Sequence, residues 1–203
     1  MKRLIIFLKA PRAGLVKTRL AQSIGPDAAL AAYKKLVLIL LKNLKPLHDV
    51  ELRFAPDDAQ KDIRPWIRKG WKSAPQGHGD LGVRLKKALK ESFDAGCGKV
   101  VIIGSDCPEV TEEDIQAAWK ALDDHELVLG PAADGGYWLI GMTKYYPLLL
   151  EGIPWSTESV FAETFLRAEK LGLRIALLRT LTDIDTFEDW ERFRGGDQVV
   201  ASK

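Results

Sequence analysis

Only two cysteines, Cys97 and Cys107, occur in the 203 residues. They lack metal-ligand spacing, and so few exclude a scaffold built on disulfides. Long apolar runs are missing as well, since no stretch reaches the roughly 18 uninterrupted apolar residues of a membrane span. Met1 to Leu8 is basic and then apolar, but it is too short for a signal peptide and has no small-residue cleavage site. Neither sign of charge prevails. Thirty Lys and Arg against 28 Asp and Glu give a formal net charge of +2, so there is no broad cationic field for nucleic acid and no anionic one for basic partners. Neither G-x-x-x-x-G-K-[ST] nor G-x-G-x-x-G is present, which removes the Walker loop and the dinucleotide turn. No internal repeat, low-complexity tract or interdomain linker interrupts the chain. These absences lead to the expectation of one cytoplasmic domain over residues 1–203, with no nucleic-acid or membrane partner and its selectivity in a local site. They do not fix an oligomeric state.

What is present is organised around Lys99–Thr111, KVVIIGSDCPEVT. Val100 to Ile103 is a continuous run of β-branched residues, the pattern of a strand covered on both faces in a largely parallel sheet. Gly104, Ser105 and Pro108 force a turn after it, and Thr111 with Asp114 forms a capping box that opens the next helix. Asp106 therefore stands where a strand ends, at the sheet edge where open α/β proteins bind ligands. A turn-capping role is the plainer alternative for it. Cys107 beside it reads as a small packing residue.

Leu4 to Leu8 is a second buried-strand run, suited to a central strand. Directly after it, Lys9 to Arg19 carries Lys9, Arg12, Lys17 and Arg19 around Pro11 and Gly14. Such a loop can wrap an anion, with Gly14 permitting close backbone approach and the cations supplying charge-assisted donors to phosphate; the alternative is a solvated basic loop. Asp27 to Leu44 has helical apolar spacing and reads as core. Val50 to Ala55 is a short strand. Trp66 and Trp71, in Asp62 to Lys72, read as gap-fillers beneath a surface helix. Gln76 to Arg84, QGHGDLGVR, sets Gln76, Gly79 and Gly82 around Asp80, which caps a helix running to Asp94. The amides of this loop and the Gln76 side chain can read a planar polar base.

Further on, Thr111 to Leu122 is an amphipathic helix and Glu126 to Leu129 a strand. Asp134-Gly135-Gly136 reverses the chain and brings an acid next to Tyr137 and Trp138, as a plain hairpin also would. Ile153 to Glu158 is a second aromatic loop around Trp155, in which Ser156 or Thr157 caps a helix to Leu171. Arg174 to Leu178 is the last strand. Thr186 caps a final helix containing Trp190 and Phe193.

Taken in order, FLKAPRAGLVKTRL, QGHGDLGVRL, IGSDCP, GPAADGGYWLIG, PWSTESV and DIDTFEDW resemble the nucleotide-diphospho-sugar transferase superfamily, over nearly the whole chain. The branch they are most similar to is that of the bacterial selenodomain-associated or arsenosugar-type glycosyltransferases, akin to phospholactate guanylyltransferase. The resemblance implies the glycosyltransferase A fold, a single-domain three-layer α/β/α sandwich with a mostly parallel sheet and a Rossmann-like nucleotide-binding half. It implies a nucleotide lying across the strand ends, with Gly14, Lys17 and Arg19 around its phosphates and Gln76 to Gly82 holding the base. Asp106 would bind Mg²⁺ or Mn²⁺ on the diphosphate, with Asp183 or Asp185 as second carboxylate, which agrees with the preference of hard dications for carboxylate and phosphate oxygens.

Two departures from the superfamily pattern point in opposite directions. The loop Arg19 is not followed by the Pro-Lys pair of sugar-nucleotide pyrophosphorylases, leaving Lys9 or Lys17 for that space. The central loop carries Asp106-Cys-Pro in place of the Asp-x-Asp of many glycosyltransferases. The leading expectation is a metal-dependent transfer of a glycosyl group from a nucleoside diphosphate sugar to a small acceptor. Asp134, Gly135, Gly136, Tyr137, Trp155 and Glu158 then line the acceptor side, and Asp134 or Glu158 serves as base. The alternatives are nucleotidyl transfer from a nucleoside triphosphate to a phosphorylated small-molecule acceptor, and a nucleotide-binding module without catalysis.

Overall fold

Seven strands join in a single sheet of order β3-β2-β1-β4-β6-β5-β7 in this computed structural model, which describes residues 1–200, with side chains as far as Gly195. The strands are β1 (Lys2–Lys9), β2 (Val50–Ala55), β3 (Lys72–Pro75), β4 (Lys99–Ile103), β5 (Leu127–Pro131), β6 (Tyr137–Met142) and β7 (Ile175–Leu177). The helices are α1 (Thr18–Ile24), α2 (Pro26–Asn43), α3 (Gln60–Ile63), α4 (Leu81–Asp94), α5 (Glu112–Ala121), α6 (Val160–Lys170) and α7 (Phe187–Val200). The last three positions of the expected 1–203 domain lie outside the described residues.

Because side chains alternate across a strand, β1 sends Leu4, Ile6 and Leu8 to one face and Ile5 and Phe7 to the other. The first set packs with Val37, Leu40 and Leu41 of α2 and with Ile115 and Trp119 of α5. The second packs with Leu85 and Leu89 of α4 and Ala168 of α6. Each such side chain, when fully buried, favours folding by about 1.5–3 kcal/mol, and covering both faces yields the expected three-layer α/β/α sandwich. β6 alone among the described strands runs antiparallel to its neighbours, so the sheet is mostly parallel, as expected. Among the described residues no helix is long and apolar enough to cross a membrane.

Several local expectations hold. Asp80 Oδ1 accepts from Val83 N at 2.8 Å as the α4 cap, and the Thr111–Asp114 capping box is complete at α5. Thr186 Oγ1 accepts from Asp189 N at 3.2 Å, while Asp189 Oδ2 accepts from Thr186 N at 3.0 Å, opening α7. Trp66 and Trp71 are buried in the α2-side core, but not beneath one helix. Pro65 lacks a donor, so α3 tightens into a 3₁₀ turn at Arg64–Trp66, and Lys72–Pro75 instead pairs with β2. The cap expected at Ser156 or Thr157 is corrected as well. Ser159 is the residue before α6 and makes no side-chain cap bond; Thr157 Oγ1 hydrogen bonds to Pro154 O at 2.7 Å. α1 was not expected, since nothing in Thr18–Ile24 but its packing against α2 and α7 marks it as a helix.

Candidate active site

The parallel strands deliver their C-terminal ends to one edge, and the order 3-2-1-4 places the crevice between β1 and β4, whose connections leave in opposite directions. The loop after β1 carries Lys17, and the loop after β4 carries Asp106. Lys17 Nζ donates to Asp106 Oδ1 and, at 2.8 Å, to Asp185 Oδ1. Its side chain is only 2% exposed, whereas those of Asp106 and Asp185 are 44% and 39% exposed, so the ammonium lies on the protein side of two carboxylates that face solvent. Burial opposes the charge on Lys17, but the two carboxylates outweigh it and hold the ammonium above its ordinary pKa. Lys17 also sits in the left-handed region (φ 47, ψ 49) as the residue before α1. A non-glycine residue there costs on the order of 1–3 kcal/mol and persists only where its surroundings hold it.

Asp185 reaches this point because its loop is tied down at both ends. Ala133 N donates to Leu181 O at 2.9 Å before it, Ile184 N donates to Asp106 O at 3.0 Å within it, and the α7 cap closes it. Asp183, between these anchors, turns away from Lys17 and accepts from Cys107 Sγ at 2.6 Å. Burial raises the Asp183 carboxyl from 3.8 to about 6, the Cys107 hydrogen bond lowers it, and Asp106, Asp134 and Asp185 add to the rise. Burial likewise pushes the Cys107 thiol up, so it is a protonated donor and the packing residue expected. Tyr33 is a site residue that the sequence reading missed. From the buried face of α2, its hydroxyl donates to Lys9 O and accepts from Lys9 N, both at 2.9 Å, and it also bonds Ser105, clasping the ends of β1 and β4. Its signal is a hydroxyl inside an apolar helical stripe, which needs a partner. Burial pushes this phenol up to about 12.

The remaining cations divide into two kinds. Lys9 and Arg19 are exposed beside the crevice, with Pro11 half-buried and Gly14 open to solvent between them. Arg12 is instead clamped to Asp62 at 2.7 Å and Asp58 at 3.2 Å, so the phosphate role expected for it is corrected to bracing the loop against α3. Gln76 requires a similar correction. Its amide donates to Leu8 O and Arg53 O, each at 3.0 Å, and accepts from Arg84 at 3.3 Å, leaving no free edge to read a base. Gly77 N donates to Asp57 Oδ1 at 3.0 Å and Gly79 O accepts from Arg84 Nε at 3.0 Å, so His78 to Asp80 is the stretch of this loop that faces solvent.

On the other side of the crevice, Asp134 Oδ1 accepts from Gly136 N at 2.9 Å and forms the tip of the β5–β6 hairpin. Gly135 has φ 87, and a Cβ there would lie 2.0 Å from Glu158 O, so only glycine lets the hairpin rest on the loop before α6. Asp134 and Glu158 are exposed. Tyr137, expected on the acceptor side, keeps its hydroxyl buried with the Thr164 hydroxyl beside it. Trp155 packs edge to face on Tyr137 at 6.4 Å, and a Cβ on Gly82 would lie 2.5 Å from Trp155 Nε1. The two aromatics thus form a wall that joins the start of α4 to the loop before α6.

Among the described residues no three His, Cys, Asp or Glu side chains converge on a ready-made metal cage. Of the two candidates for the second carboxylate, Asp185 shares the Lys17 ammonium with Asp106, whereas Asp183 is engaged with Cys107. Two solvent-facing carboxylates fit Mg²⁺ or Mn²⁺, which commonly take one or two carboxylates and complete their shell with phosphate oxygens and water.

Comparison with known proteins gives the class this arrangement belongs to. The chain belongs to the family described as "Uncharacterized protein conserved in bacteria (DUF2064)", which matches residues 41–157. A protein of Desulfovibrio desulfuricans G20, provisionally named a nucleotide-diphospho-sugar transferase, is 34% identical with a TM-score of 0.86, covering 91% of this chain and 82% of that one. Phosphoenolpyruvate guanylyltransferase of Chloroflexus aggregans (strain MD-66 / DSM 9485) is 33% identical over 117 residues, 57% of this chain. The match spans about half of that relative, 55% of its length. The 4-diphosphocytidyl-2C-methyl-D-erythritolsynthase of Anaerococcus prevotii DSM 20548 shares the fold at a TM-score of 0.62 with 16% identity, over 97% of this chain and 99% of that one. The superfamily and the fold expected from the sequence are borne out, and these relatives are transferases.

Proposed function

We propose that the protein transfers a nucleoside monophosphate from a nucleoside triphosphate to a small phosphorylated acceptor and releases pyrophosphate. The observation that carries this reading is the Lys17 ammonium held between Asp106 and Asp185 at the crevice of the sheet. It answers the absence of the Pro-Lys pair with a lysine from the same loop, whose fixed charge at the crevice would offset charge on the attacked phosphate through the field it sets up. The exposed Lys9 and Arg19 supply further donors to the departing pyrophosphate. An acceptor phosphate is already anionic near neutral pH and attacks the α-phosphorus without help from a base. That suits a site rich in cations, in which the base candidates Asp134 and Glu158 are both exposed at the rim. Bound by Asp106 and Asp185, Mg²⁺ or Mn²⁺ would neutralise the negative charge on the phosphates. The exposed backbone of His78 to Asp80 would hold the base, and the wall of Tyr137 and Trp155 would keep the base loop and the acceptor loop in register.

Glycosyl transfer from a nucleoside diphosphate sugar is the second reading, favoured by the name of the Desulfovibrio relative. One assay separates the two. The protein is incubated with Mn²⁺, each nucleoside triphosphate and a panel of phosphorylated acceptors headed by phosphoenolpyruvate, the acceptor in the guanylyltransferase relative's name. Acceptor-dependent pyrophosphate supports nucleotidyl transfer. Nucleoside diphosphate formed from a nucleotide sugar, with no pyrophosphate from any triphosphate, replaces it with glycosyl transfer.

A further inference from the structure

A dication and Lys17 compete for the same two carboxylates. Lys17 Nζ takes Oδ1 of both Asp106 and Asp185, and a side chain only 2% exposed has no ready path into solvent. The pair therefore meets an incoming cation with one oxygen of each carboxylate already engaged and half of its charge already neutralised. The fixed ammonium nearby also repels a second cation. The same contacts confer an advantage, since without a counterion two facing carboxylates repel and turn apart.

We propose that Lys17 keeps the Asp106–Asp185 pair as a preformed but weak dication site, which retains Mg²⁺ or Mn²⁺ only when phosphate oxygens of a bound nucleotide complete the shell. The metal then enters with the nucleotide and does not wait for it. The inference deepens the proposed function and rests on its nucleotide site. Lys17 thus acts as a gate on metal affinity.

Direct titration with Mn²⁺, followed by the electron paramagnetic resonance signal of the free ion, tests this without turnover and without nucleotide. Wild-type protein is expected to bind Mn²⁺ weakly. Lys17→Met keeps the length of the apolar stem and removes the charge, and it should bind Mn²⁺ at least about tenfold tighter, as expected when two charge-assisted hydrogen bonds no longer compete. Lys17→Met combined with Asp185→Asn should lose that gain. Equal or weaker Mn²⁺ binding by Lys17→Met overturns the proposal, as does retention of Mn²⁺ by wild-type protein through gel filtration in metal-free buffer. Should Lys17→Met fail to fold, Lys17→Gln takes its place and the wild-type measurement still decides. A wild-type protein that binds no nucleotide, with or without Mn²⁺, would remove the proposed function, while the Mn²⁺ comparison would still show whether Lys17 gates the pair.

Discussion

At the scale of single residues, the site depends on a few side chains that meet from distant parts of the chain. Asp106→Asn keeps the shape of the turn and removes the charge. It should lower pyrophosphate release by at least about 100-fold, the order of effect seen when one preorganised electrostatic group is lost, and lower the melting temperature as well, because the buried Lys17 ammonium loses one of its two carboxylates. Asp183 gives a prediction of a different kind. Its carboxyl titrates at about 6 in the folded chain against an ordinary 3.8, so between about pH 4 and pH 6 the folded state binds more protons than the unfolded one. Its contribution to stability is therefore greatest below that window and falls as pH rises through it. Asp183→Asn, which can still accept from Cys107, should stabilise the protein by about 1–2 kcal/mol at pH 7.5 once solvent screening is allowed for, and by close to nothing at pH 4. Melting curves at both values in chelator check this; an equal gain at both would remove the buried charge as its cause. Asp106 was legible in the sequence because a strand run ends just before it. Lys17 and Asp185 were placed with it by the family resemblance alone, and their direct contact was not legible, because Lys17 lies 89 positions before Asp106 and 168 before Asp185. For the same reason Arg12 and Gln76 read as free donors, although both are engaged with groups remote in sequence.

At the scale of elements, the features set by adjacent residues were the readable ones. The caps at Asp80, Thr111 and Thr186 each join groups three residues apart, so composition and spacing reveal them. Asp80→Ala leaves the first turn of α4 without its acceptor and should cost about 1 kcal/mol, seen as a fall of about 2–4 °C in melting temperature for a chain of this size. Gly82→Ala, in the same turn, places a methyl against Trp155 Nε1 and Leu150 O, at 2.5 and 3.0 Å. Its expected cost is about 1–3 kcal/mol of overpacking, with a change in Trp155 fluorescence that Asp80→Ala does not show. Comparable losses with unchanged emission would mean that Trp155 does not brace α4. β3 and α1 were not readable, because each depends on a neighbour more than on its own sequence. β3 is a four-residue segment that becomes a strand by pairing with β2, and α1 follows a lysine in a conformation seldom adopted outside glycine.

At the scale of the whole molecule, the parallel sheet was legible from continuous apolar runs such as Leu4 to Leu8 and Val100 to Ile103, which only a strand covered on both faces tolerates. The place of β6 between β4 and β5 was not, since either edge of a sheet can accept a hairpin. A ligand that binds only the native fold raises its apparent stability by mass action, by about 2.7 kcal/mol at a hundred times its dissociation constant. A thermal-shift screen of nucleoside triphosphates with Mn²⁺ should therefore yield at least one nucleotide that raises the melting temperature by several degrees. The same nucleotide with chelator, and Mn²⁺ alone, should each give much smaller shifts. A full shift from Mn²⁺ alone would contradict a site that needs both.

The reversed direction of β6 carries a consequence for how such a protein can diversify. A crossover between parallel neighbours must travel the length of the sheet and return, so any lengthening disturbs a packed helix; the β5–β6 connection simply turns back where it emerged. Extra residues grafted at its exposed tip around Asp134 would extend outward while the loops after β1 and β4 kept their places. On the proposed function, choice of acceptor would then be open to change by insertion at one point, so long as Gly135 kept its seat against Glu158.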